Sequence, residues 1–224
     1  MTLALLYPQL APNLYDLALM MRADRVVLLD TETWSRKSRI HRTRIRTPQG
    51  TQWINIPVRT DDRDKPVRAV RIDHAEEWAT PLLRSLTYNY RNSPYFDFYE
   101  PEIRADFEAA ADFEFLMPFV LHVQERLLRF MEHPVHYDLA FGLEDYTSDP
   151  DELARRLGAD RLWQEHDSRH YMRQAENATV LPGFRHPRYR QHFEGFEPWC
   201  GLFDLLFQFG PESFKITDRI RESA

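Results

Sequence analysis

A chain of 224 residues with 43% apolar and 13% aromatic side chains has enough apolar area for one core, and 29% charged residues solvate its surface, which excludes a disordered tail or two independent domains. The net charge of −6 disfavours nucleic-acid binding by the surface as a whole. The lone Cys200 excludes an intramolecular disulfide and every Cys-rich metal site, as suits a reducing compartment.

Seven glycines against 15 prolines argue against glycine-cradled phosphate loops and for stiff connections. The opening segment MTLALLYPQLAP lacks a basic n-region, and no later run approaches the roughly 18 apolar residues of a membrane span. The expectation is therefore one cytoplasmic domain, 1–224, without a membrane span, metal or cofactor.

Residues 2–7 are an apolar run short enough for a buried strand, stopped by Pro8 and Pro12. Asn13 is a candidate N-cap for a helix whose Leu14, Leu17, Ala18 and Met21 recur at helical spacing. Residues 25–30 form a second buried strand, and strand, helix and strand together imply a parallel pair with a right-handed crossover. Residues 42–47 and 52–58 flank Pro48-Gln49-Gly50 as a hairpin with a type I turn, and 67–72 should extend this antiparallel part.

Residues 75–91 read as a helix in which Pro81 opens a new first turn, and Asn92-Ser93-Pro94 ends it. A second amphipathic helix covers 112–131, with Pro118 expected to kink or restart it. Residues 135–141 and 161–163 read as strands around a helix that Asp149-Pro150 caps and Gly158 closes. Ser168 is expected to begin a helix, 178–181 to form a strand, and 202–209 to form an apolar helix closed by Gly210-Pro211. The architecture implied is α/β: a mainly parallel sheet with helices on both faces and an antiparallel hairpin insertion near 42–72.

The strongest local charge signal lies in the connection after the second strand. Arg36, Lys37, Arg39, Arg42, Arg44 and Arg46 crowd into residues 36–46, and no carboxylate lies between Glu32 and Asp61. Guanidinium forks match phosphate oxygens bidentately, so the cluster suits a diphosphate; a solvated, salt-bridged loop is the plain alternative. No aromatic platforms interleave with the basic run, which weighs against RNA.

The order of several short motifs resembles the WbqC-like family through nearly the whole chain. They are RVVLLD ending at Asp30, Ser35-Arg36-Lys37-Ser38 leading to Arg42, RIRTPQG ending at Gly50, and WINIPV from Trp53 to Val58. Further on come YRNSPYF from Tyr90 to Phe96, His186-Pro187-Arg188-Tyr189 with Gln191, and Asp204-Leu-Leu-Phe207 with Gly210-Pro-Glu-Ser213. The resemblance implies surface-polysaccharide precursor biosynthesis, since members are often encoded beside O-antigen enzymes, and a transferase acting on a nucleotide-linked or phosphorylated substrate. Three features of the family's pattern are missing, one of them a second acid beside Asp30, where Thr31 stands. Leu6 stands where a histidine opens its His-Gln-Pro-Asn-Tyr-x-Pro segment, and residues 164–168 replace a glycine-rich turn. At fold level the first βα unit also resembles nucleotidyltransferase-type Rossmann variants, in which a Ser-initiated helix contacts phosphate.

Candidate roles follow. Asp30, at the carboxyl end of a buried strand, and His186 are the catalytic candidates. Arg36, Arg42, Arg44, Arg46, Ser168, His170, Arg188, Tyr189 and Gln191 are candidates for holding an anionic small molecule. His166 and His170 would face one ion only on a continuous helix, which Ser168 interrupts. Cys200 reads as a small buried hydrophobe, and Glu212 and Ser213 as capping groups. The alternative to an enzyme is a binding module without turnover, a homodimer through Tyr95–Tyr99.

Overall fold

The computed structural model describes residues 1–222. Four strands, β1 (Thr2–Leu6), β2 (Arg25–Leu28), β5 (Asp138–Leu139) and β6 (Arg161–Gln164), form one parallel sheet in the order β5-β2-β1-β6. β1 is buried along its whole length, as its unbroken apolar sequence requires. β3 (Arg42–Thr47) and β4 (Gly50–Asn55) form a separate antiparallel hairpin. Its two-residue connection is Pro48-Gln49, and Gly50 at φ 127° takes a backbone that only glycine adopts freely.

Helix α1 (Leu14–Arg22) links β1 to β2 and starts where expected, with Asn13 Oδ1 accepting from the N–H groups of Tyr15 and Asp16 at 2.9 and 3.1 Å. α2 (Ala79–Tyr90) carries Pro81 in its first turn, where the missing N–H has no partner to lose. The same reason lets α4 (Leu116–Phe130) begin with Pro118 as its third residue, without a kink. α5 (Pro150–Arg156) is capped by Asp149, whose side chain accepts from Glu152 N–H at 3.0 Å, and Gly158 closes it at φ 71°. α6 (Leu202–Phe209) and α7 (Phe214–Glu222) complete the chain, α7 packing on α1 through buried Ile216 and Ile220.

Three expectations change. Residues 168–174 form turns, not a helix: Asp167 sits in a left-handed conformation (φ 53°), and Ser168 O takes the N–H of both Tyr171 and Met172 before the chain turns away. Residues 178–181 make one parallel bridge, Ala178 to Leu162, because Leu181 N–H is taken by Tyr15 Oη instead of a strand neighbour. Residues 67–72 open with a 3-10 turn (Val67–Ala69) and touch the hairpin extension only through the bridge from Ile72 to Val58. The aromatic stretch Tyr95–Tyr99 opens a helix, α3 (Phe96–Glu108); Phe96, Tyr99, Ile103 and Phe107 face the core, and Phe98 alone of the large residues in that stretch is strongly exposed, at 70%. No described helix is long and apolar enough to cross a membrane.

Gly201 ties these layers together. Its N–H donates to Arg44 O at 2.9 Å, and it bridges to Asn13 in the loop after β1. A Cβ at this position would lie 2.1 Å from Thr43 Oγ1 and 3.0 Å from Ala11 O. Gly201→Ala should therefore cost about 1–3 kcal/mol by overpacking, read by urea unfolding, and adding Thr43→Ala should restore part of it. An unchanged midpoint in the single variant would contradict this contact.

Candidate functional site

A cavity of about 360 Å³ opens where the chain after β1 and the chain after β6 meet the hairpin. That size is within the roughly 300–1,000 Å³ of small-molecule sites. Its position follows from topology. From β1 the crossover through α1 runs to β2 on one side, while β6 pairs with β1 on the other. The strand order thus reverses between β1 and β6, and in open α/β sheets the ligand crevice lies outside the carboxyl ends of the strands at such a point. Ala11 and Asn13 reach the cavity from β1, His166, Asp167, His170 and Tyr171 from β6, and Lys37, Arg39, Arg42, Arg44 and Trp53 from the basic connection and hairpin.

The floor is a buried ionic cluster. Arg39 lies 3.4 Å from Asp16 and 3.9 Å from Glu165, and both carboxylates are fully buried. Asp16 also accepts from Asn13 Nδ2 at 2.7 Å and from His166 N–H at 3.3 Å. Glu165 Oε2 accepts from Tyr7 N–H at 3.1 Å and Gln9 Nε2 at 2.9 Å, while Tyr171 Oη donates to Oε1. Burial pushes the Glu165 carboxyl up to about 7 against the pull of Arg39.

The hairpin supplies the open charges. Pairing about Pro48-Gln49 sets Arg44 opposite Trp53, and the guanidinium groups of Arg42 and Arg44 both lie over the Trp53 ring, 4.3 and 4.8 Å from its centre. Among the described residues Arg42 donates to the carbonyls of Ser38 (3.2 Å) and Lys37. Neither Arg42 nor Arg44 has a carboxylate partner among the described residues. Burial holds Arg42 below the usual arginine range, and repulsion from Arg44 and Arg39 adds to it. Arg39 is neutralised below, Asp167 offers one negative charge on the lining, and Lys37, Arg42 and Arg44 leave the surface net positive.

Arg42, Arg44 and His170 are the sequence candidates brought together here. Arg46 lies outside the lining. It is buried, donates to the carbonyls of Thr47, Gly50 (2.9 Å) and Glu194, and pins the hairpin to the 190s loop. Arg36 is exposed outside the lining, and Arg188 is exposed with its guanidinium 5.7 Å from the Phe196 ring.

Tyr189 Oη and Gln191 Nε2 donate to Asp204 Oδ2 at 2.7 and 2.9 Å, and Tyr90 Oη donates to Oδ1 at 3.0 Å. These bonds hold a buried acid on α6 that burial pushes above the usual carboxylate range. Asp30 is buried with Oδ1 taking Phe141 N–H at 2.9 Å, so it caps the turn after β5 and lies off the cavity. His186 sits behind Trp199, accepting its N–H at Nε2 (3.3 Å). Ser168 is buried beneath the turn, its Oγ accepting from Gln174 at 3.1 Å. Cys200 is buried and burial raises its thiol, leaving it protonated at neutral pH.

Sequence reasoning missed Trp53, Asp16, Glu165, Tyr171 and Trp199. The hairpin register could have given Trp53, since counting back from the turn pairs it with Arg44. The others reach the cavity through contacts spanning well over a hundred residues, which no local pattern carries.

The WbqC-like protein family model matches residues 8–216. The chain belongs to the WbqC-like protein family. A curated relative, the "Uncharacterized protein Rv1507c" of Mycobacterium tuberculosis, is 27% identical over 207 residues, covering 85% of this chain and 86% of that protein. No solved structure matches. In this WbqC-like chain the cavity spans segments from both ends of the matched region, Ala11 to Trp199.

The raised Glu165 carboxyl makes a pH prediction. The folded protein keeps this proton to higher pH than the unfolded chain, whose ordinary value is 4.5, so the contribution is fully present below 4.5 and is lost as pH rises towards 7. The stability of wild type relative to Glu165→Gln should fall between about pH 5 and pH 7 and level off above. A difference that stays flat across that window, measured by guanidinium unfolding, would contradict the assignment.

Proposed function

We propose that the cavity binds a phosphorylated, nucleotide-linked small molecule, and that the protein acts as a transferase in surface-polysaccharide precursor biosynthesis. One observation carries the ligand class: two guanidinium groups stacked on one indole line the cavity with no carboxylate to neutralise them. Stacking on Trp53 occupies a face of each guanidinium group; Arg44 keeps its N–H edges for planar, bidentate acceptors, the geometry of phosphate oxygens, while Arg42, tied through two N–H groups to the carbonyls of Ser38 and Lys37, adds positive charge beside it. The position between β1 and β6 is where open α/β sheets bind nucleotides. The metabolic setting rests on family membership, and the transferase reading on what that family resemblance implies.

A ligand bound at roughly 100-fold over its Kd adds about 2.7 kcal/mol, so a matching nucleotide sugar or inorganic pyrophosphate should raise the melting temperature by about 5–10 °C. Arg44→Ala removes one charge-assisted contact and should weaken binding about 10- to 100-fold without lowering the melting temperature of the free protein. Absence of any shift across nucleotide sugars, nucleotides and pyrophosphate would overturn the reading. A melting point that depends on protein concentration alone would favour the dimeric module.

A further inference from the structure

His166 is the second residue beyond β6, on the cavity lining, and its backbone is clamped on both sides. Its N–H donates to buried Asp16 at 3.3 Å, and its carbonyl accepts from Arg39. The imidazole stacks on Trp199 with ring centres 4.1 Å apart and planes 17° apart, while Tyr15 meets it edge-on at 5.5 Å. Trp199 achieves this in a left-handed backbone conformation, φ 70°, unusual for a bulky residue and a form of strain found at functional sites. Neither ring nitrogen of His166 has a hydrogen-bond partner among the described residues. An exposed imidazole is thus held at a fixed angle with both nitrogens free, on the same lining as Arg42 and Arg44, which have no carboxylate partner among the described residues.

We propose that His166 is a further ligand contact of this cavity, one that takes up a proton from solvent as a phosphate group seats against Arg42 and Arg44. The proposal rests on the cavity being an anion site, and it adds which residue couples that binding to pH.

The groups that face His166 set the direction. Burial holds its proton affinity below the ordinary histidine range; Asp16 and Asp167 work against that, and Arg39 and Arg44 reinforce it. Arg39 is already paired below, so Arg44 is the opposing charge that a bound phosphate would neutralise, and the phosphate brings negative charge of its own. His170, Tyr171, Lys37 and Arg42 complete the titratable lining, and Tyr15 and His186 contact the rings behind it. Stacking on the Trp199 face favours the imidazolium by cation–π attraction. Protonated, the ring offers a donor to a phosphate oxygen from the wall formed by the β6 loop, opposite in sequence origin to the hairpin arginines.

The test uses the full-length protein and inorganic pyrophosphate. The His166 Cε1–H signal, assigned by its loss in His166→Gln, is titrated by NMR without and with saturating pyrophosphate. Its midpoint should lie below 6.5 in the free protein and rise by about one unit or more when pyrophosphate binds. By linkage, the ratio of wild-type to His166→Gln affinity should grow about tenfold from pH 8 to pH 5.5, a ratio in which the ligand's own ionisation cancels. Arg44-dependent binding with an unmoved His166 midpoint and a constant ratio would overturn the His166 assignment and leave the anion site standing. Failure of pyrophosphate to bind wild type at either pH would overturn both.

Discussion

The site depends on Arg39 being held between two buried carboxylates, Asp16 from the first turn of α1 and Glu165 from the end of β6. Buried charge is tolerated only when paired and hydrogen-bonded, and each member of this cluster meets that condition through a different part of the chain. Asp16 takes Asn13 and the His166 backbone, and Glu165 takes Tyr7, Gln9 and Tyr171. The cluster therefore locks the loop after β1, the loop after β6 and the start of the basic connection into one arrangement. Breaking it by removing a single partner leaves an uncompensated charge in the interior, which makes the arrangement all-or-none.

Neutralising Arg39 from below gives Arg42 and Arg44 their meaning. Six basic residues in one connection look alike in the sequence, yet the fold gives four of them three different fates. Arg39 is a structural cation in the floor, Arg46 is a buried clasp on backbone carbonyls, and Arg42 and Arg44 stand on Trp53 with no carboxylate partner among the described residues. Strand alternation puts Arg42, Arg44 and Arg46 on one face of β3. The Glu194 carbonyl takes the Arg46 guanidinium at the far end of that face, while Tyr90 Oη, itself bonded to Asp204, accepts the Arg46 backbone N–H.

The two acids beneath the site show the same economy. Glu165 and Asp204 each sit where a helix or loop must be fixed against the sheet, and each is surrounded by donors that only an acid can serve. Tyr189 and Gln191, read in the sequence as ligand contacts, lie off the cavity lining and hold Asp204, which through Tyr90 fixes the backbone at the far end of the hairpin strand that carries the arginines.

By itself the sequence determined the parallel βαβ start, the hairpin and its turn, most of the helices, the family and the presence of an unbalanced basic run. Those features are local: apolar periodicity, capping residues and charge density act within a few turns of chain. It did not give α3, where Pro94 and Pro101 interrupt the helical spacing of Phe96, Tyr99, Ile103 and Phe107, and it drew a helix at Ser168 where Asp167 and the ties of Tyr171 impose turns. Only the tertiary structure decided which arginines lack a carboxylate partner, that Asp30 and His186 lie off the cavity, that His166 and Trp199 line it, and that Glu165 pairs with Arg39 beneath it. The physical reason is that a charge acquires its role from its partners and burial, and here those partners come from strands adjacent in space but more than a hundred residues apart in the chain.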